Sequence, residues 1–110
     1  MINFEELLIH VEQWGTDRNF VVPENAKSQL LKLGEEVGEL FKAELKDDLA
    51  ERIDAVGDIL VVMILYCKMK DLDIVYCLES AYEEIKDRTG EVINGSYIKD
   101  ENQLDLTDIA

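Results

Sequence analysis

The chain has 110 residues, 25 of them acidic against 11 basic, for a net charge of −14. That length suits a single domain with a real core, and the charge argues against wrapping a nucleic-acid polymer, which needs clustered Lys and Arg. Cys67 and Cys77 sit in apolar helical patterns without CxxC or Cys/His spacing, so they read as buried reduced thiols rather than a disulfide or zinc site.

Asn3 is placed to cap a first helix in which Phe4, Leu7, Leu8, Val11 and Trp14 recur at helical spacing, with Glu6 positioned to reach back to the cap. Gly15 is expected to end that helix, leaving 16–22 as a loop and Pro23 at the first position of the next helix. His10 faces away from the stripe and is expected to be exposed, with no Ser or Cys motif to serve. From residue 24 to about 46 the pattern predicts a second helix, with Leu30, Leu33, Val37, Phe41 and Leu45 as its core stripe and Leu40 beside Glu36. Asp47 or Asp48 caps a third helix whose core stripe is Leu49, Ile53, Val56, Leu60, Ile64 and Cys67.

At about 100° per residue, Glu51, Asp54 and Asp58 lie on the opposite face of that helix, which continues as Val61, Val62 and Leu65. Residues 59–67 are apolar all round yet only about half as long as a membrane span, so they predict a buried helix and no membrane partner. A fourth helix opens at Leu72-Asp73, carries Ile74, Leu78, Ala81, Tyr82 and Ile85, and ends near Arg88. Val92-Ile93 and Tyr97-Ile98 flank Asn94-Gly95, a strong hairpin signal, and 100–110 reads as an acidic tail. The expectation is one all-α, four-helix domain over 1–99 with a short C-terminal hairpin. No basic, apolar and small-residue leader is evident at the start, so the cytoplasm is the expected compartment.

Glu36 and Glu39 share one helix face, and Asp54 and Asp58 share another. If the two helices pack antiparallel across Lys46-Asp47-Asp48, these carboxylates face one another and repel unless a cation sits between them.

Glu35-Glu36-x-x-Glu39 on one helix, followed by Asp58 opening an apolar run on the next, resembles the MazG-like nucleoside triphosphate pyrophosphohydrolases of the all-α superfamily. The likeness runs from residue 14 to about 99. It implies a helical bundle whose carboxylates hold magnesium, with cleavage between the α and β phosphates to a monophosphate and pyrophosphate. The family pattern places Glu-x-x-Asp on the second of these helices, and here Ala55 stands where that Glu belongs. Asp54 is the expected substitute ligand; in a second frame, Glu51-Arg52-Ile53-Asp54 supplies the pair and Glu51 is an outer ligand.

Magnesium, or manganese in its place, suits such hard oxygen donors and shares itself between carboxylates and phosphates. Glu36, Glu39, Asp54 and Asp58 are the expected metal ligands, and Glu35 or Glu36 the expected general base. Lys86 and Arg88 are candidate phosphate contacts, or simply favourable charge at a helix C-terminus. Asn94 is a candidate base or sugar contact, or only a turn residue; Trp14 is a candidate base platform, or only core. Phosphoribosyl-ATP pyrophosphohydrolases share the same superfamily likeness and differ in substrate. From a different class, a non-catalytic helical interaction protein with a solvated acidic face remains the alternative. Val61, Val62 and Leu65 are expected to need a partner beyond the chain's other helices, which with the family likeness predicts a homodimer or homotetramer.

Overall fold

A computed structural model of the chain describes residues 1–100, and it is helical apart from one short hairpin. The acidic tail expected at 100–110 lies outside the described residues from 101 on. Helix α1 runs Phe4–Asp17, α2 Ala26–Leu45, α3 Leu49–Met69 and α4 Ile74–Ile85, followed by strands β1 Gly90–Ile93 and β2 Ser96–Lys99. Among the described residues no helix is long and apolar enough to cross a membrane.

The caps form as the local sequence predicts. Asn3 Oδ1 accepts from the Glu6 N–H at 2.9 Å while Asn3 Nδ2 donates to Glu6 Oε1 at 3.3 Å, closing the first turn of α1 from both sides. Asp48 caps α3 by accepting from the Glu51 N–H at 3.0 Å. Asp47 takes the left-handed conformation, φ 54°, that reverses the chain between α2 and α3. Arg52 ties the link down, donating to Asp47 at 2.6 Å and to Glu44 at 3.1 Å. Pro23 opens a 3-10 turn, Pro23–Asn25, and α2 itself begins at Ala26.

Gly15 does not end α1. The helix continues to Asp17, and Gly15 is its one buried residue. A Cβ there would lie 2.6 Å from Leu65 Cδ2 and 2.8 Å from Val21 Cγ2, so the missing side chain is what lets α1 approach α3.

The core also differs from the predicted stripes. On α2 the buried residues are Ala26, Gln29 and Ala43, and on α3 they are Ala55, Val62, Ile64, Leu65, Cys67 and Met69. Small side chains occupy the seam because α2 and α3 pack closely, and Gln29 Nε2 donates to the Val62 carbonyl across it at 3.3 Å. Leu30, Phe41 and Leu45 of the predicted α2 stripe are exposed, as are Leu49, Ile53, Val56 and Leu60 of the α3 stripe. Val62 and Leu65, expected to await a second subunit, are instead 3% and 2% exposed within the chain. Large apolar residues mark an amphipathic face, but periodicity alone does not say which partner covers it.

The chain divides into two compact units, Met1–Ile74 and Val75 onward. In the second, β1 and β2 pair antiparallel, Ile93 opposite Ser96, around Asn94 and Gly95 at φ 52° and 81°. Two successive positive φ values give the type I′ turn expected of Asn-Gly. Of the two thiols, Cys67 is buried, but Cys77 is exposed on α4, contrary to the expectation for both; neither forms a disulfide.

Candidate active site

The α2–α3 hairpin brings two acidic helix faces together. Glu36 and Glu39 from α2, and Glu51, Asp54 and Asp58 from α3, line one cavity of about 180 Å³ whose remaining wall is Ala55. Positions three or four apart on each helix project to the same side, and the antiparallel link turns those sides toward each other. Ala55 is 3% exposed, so the departure from the family pattern falls on the cavity itself. Asp54 and Glu51, the two expected replacements, both line it. Lys42 approaches Glu39 at 3.8 Å and Lys46 approaches Glu51 at 3.9 Å, but these pairs are exposed and weak.

The electrostatics follow from that crowding. Desolvation raises the pKa of Glu36 from its ordinary value, and the charges on Asp58, Glu35 and Glu39 push it further up while Lys32 pulls it down. Glu36 is half-buried on the seam. Glu35, one residue earlier and about 100° round the helix, is exposed and lines a separate open hollow with Ser28, Leu31 and Lys32. The structure therefore brings Glu36 into the acidic cavity and leaves Glu35 outside it.

Asp58 also lines a second cavity, of about 460 Å³, with His10, Val11, Trp14 and Val61. One carboxylate thus borders both an acidic hollow and a mainly apolar one. His10, expected to be merely exposed, lies on its rim; its signal in the sequence is the i, i+4 spacing from Trp14 on α1. Trp14 is 44% exposed, hence not core.

Lys86, Arg88 and Asn94 belong to the second unit. There Lys86 pairs with Glu83 at 2.7 Å, the Arg88 carbonyl accepts from the Tyr97 hydroxyl at 3.3 Å, and Asn94 serves the hairpin turn.

Among the described residues no three Asp, Glu, His or Cys side chains stand close enough to enclose a metal ion directly. The donor chemistry nonetheless fits magnesium: five carboxylates round one small cavity, one of them with its pKa raised by desolvation and then by its neighbours' charge. Magnesium keeps several waters and uses few protein ligands, so wide spacing between carboxylates is compatible with it.

A family model described as phosphoribosyl-ATP pyrophosphohydrolase matches residues 2–89. The chain is also 36% identical, over 75 residues, to an uncharacterised 18.2 kDa protein encoded in the rep-hol intergenic region of Haemophilus phage HP1 (strain HP1c1). That match covers 68% of this chain and 46% of the phage protein, so the chain spans about half of that relative's length. No solved structure matches.

Proposed function

The chain belongs to the phosphoribosyl-ATP pyrophosphohydrolase family, and from that premise we propose that it is a magnesium-dependent nucleotide pyrophosphohydrolase. It cleaves a nucleoside or deoxynucleoside triphosphate between the α and β phosphates to the monophosphate and pyrophosphate. The observation that carries this reading is the five-carboxylate cavity sharing Asp58 with an apolar cavity that includes an indole. A nucleotide has the matching halves: a polyphosphate that meets carboxylates only through a cation, and a planar base that prefers aromatic and aliphatic contact.

In this proposal Glu36, Glu39, Asp54 and Asp58 would hold the ion, with Glu51 beside them. The ion, magnesium or manganese, would supply neutralisation of the phosphate chain. Glu36 is the base best placed for the reaction, since it lines the acidic cavity while Glu35 lines a separate hollow. It takes a proton from the attacking water as the bond to the leaving pyrophosphate breaks. Trp14, with Val11 and Val61, receives the base. Phosphoribosyl-ATP is the second substrate reading, favoured by the family description itself.

Incubation with each triphosphate and with phosphoribosyl-ATP, followed by product identification, separates these readings. Monophosphate plus pyrophosphate, abolished by chelation, supports the first. Diphosphate plus orthophosphate, or a rate indifferent to chelation, overturns it.

Assembly as a homodimer or homotetramer is also proposed, but through a different surface from the predicted one. Leu30, Phe41, Leu45, Leu49, Ile53, Val56 and Leu60 are all 42% or more exposed on α2 and α3. Exposed apolar side chains concentrated on two adjacent helices mark an interaction surface.

A further inference from the structure

The indole of Trp14 is braced from outside the cavity it lines. The Arg18 guanidinium carbon lies 4.4 Å from the indole ring centroid, and its Nη1 donates to the Trp14 carbonyl at 2.9 Å, so one side chain grips both ring and backbone of the same residue. Phe20 meets the indole edge-on, centroids 5.9 Å apart and planes at 83°. Arg18 caps the C-terminus of α1, and Asn19, at φ 62°, reverses the chain so that Phe20 returns to the helix it has just left. The return is pinned by Asn25, whose Nδ2 donates to the Phe20 carbonyl at 2.8 Å. Arg18 and Phe20 thus contact the indole without lining the apolar cavity themselves.

We propose that Arg18 and Phe20 are positioning residues that fix the Trp14 indole as a ready-made platform for the planar base of a nucleotide. The inference rests on the pyrophosphohydrolase reading only for the ligand being a nucleotide. An aromatic side chain that is already immobile loses little rotamer freedom when a base stacks on it, and that saving appears as affinity. Stacking by a guanidinium also suits this task better than an ammonium, because the plane fits the plane of the ring. His10, one turn from Trp14 on the cavity rim, offers the polar edge beside the platform.

Trp14 is the only tryptophan in the chain, so intrinsic fluorescence reports on the platform alone. The test titrates wild type, Arg18→Ala, Arg18→Lys and Phe20→Leu with nucleoside monophosphates in chelator, then measures KM and kcat for the triphosphate with magnesium. Wild type is expected to quench saturably. In Arg18→Ala the quenching constant and KM weaken together by roughly two- to tenfold, the range for re-ordering one side chain. In the same variant kcat stays within about twofold, because an interaction that holds substrate and transition state equally leaves kcat unchanged, and the indole anisotropy decays faster. Arg18→Lys recovers part of the loss.

Wild-type binding and KM in Arg18→Ala, or a loss confined to kcat, overturns the proposal, as does the absence of quenching by any nucleotide. Should neither a nucleoside triphosphate nor phosphoribosyl-ATP be hydrolysed, the pyrophosphohydrolase reading fails by itself and the titration still decides the platform.

Discussion

Glu36 on α2 and Asp58 on α3 line the same small cavity, and the charge on Asp58 is, after desolvation, the largest influence raising the pKa of Glu36. With both carboxylates charged, the pair costs the fold something at neutral pH, and a perturbed carboxylate beside a cavity is a feature on which the proposal of a cation site rests.

In chelator, Glu36→Gln is expected to raise the melting temperature at pH 7. A carboxyl whose folded pKa is raised contributes stability that is fully present below its unfolded value, near 4.5, and lost as pH rises through the folded value. Wild type and variant should therefore converge in melts near pH 4 and separate toward neutrality. Equal melting temperatures at pH 7 would remove the repulsion argument.

Glu39→Gln and Asp58→Asn are each expected to lower turnover on the order of 100-fold or more, as for the loss of one preorganised electrostatic group, because each removes a carboxylate proposed to hold the ion that neutralises the phosphate chain. Circular dichroism and melting in chelator should show both variants folded. Normal turnover in either variant takes that residue out of the site.

Gly15→Ala should destabilise the protein by about 1 kcal/mol net: helix propensity favours Ala by roughly 1 kcal/mol, and forcing a methyl into a packed contact costs roughly 1–3 kcal/mol. The contact is with Leu65, which is 2% exposed and has little room to yield. Gly57→Ala is the control, since nothing lies within 4 Å of the added methyl, and there the propensity gain should appear alone. Urea denaturation of the two variants, read as midpoints at constant slope, checks the sign of each.

Sedimentation equilibrium is expected to give a mass above the 12.6 kDa of one chain. Ile53→Asp should reduce it to a single chain with the helical spectrum intact, because Ile53 is 67% exposed in the isolated chain. Val62→Asp should instead unfold the protein, at a cost of about 4 kcal/mol or more for a buried unpaired charge. A single-chain mass for wild type across the concentration range sinks the assembly proposal.

The helices, their caps, the Asn-Gly hairpin and the pairing of acidic positions on two helix faces were legible from residue order, because each depends on contacts within a few residues. The same local information misjudged Gly15. Viewed along one helix a glycine is a weak point, whereas beside Leu65 it is the only residue small enough for the approach of α1 to α3. It placed Ile64 and Cys67 of α3 correctly in the core but misjudged the rest of the two stripes, since Ala43 and Ala55 carry almost no hydrophobic signal yet are buried, while Phe41, Leu45, Leu49 and Ile53 stay outside.

For the candidate site, spacing alone determined that Glu36, Glu39, Asp54 and Asp58 occupy two helix faces. Only the tertiary structure decided that Glu35 stands apart and that Asp58 links the acidic cavity to Trp14 and His10. The physical reason is that a helix sets directions around its own axis from sequence, while the neighbour each direction meets is set by packing between helices, and packing answers to side-chain volume rather than to polarity.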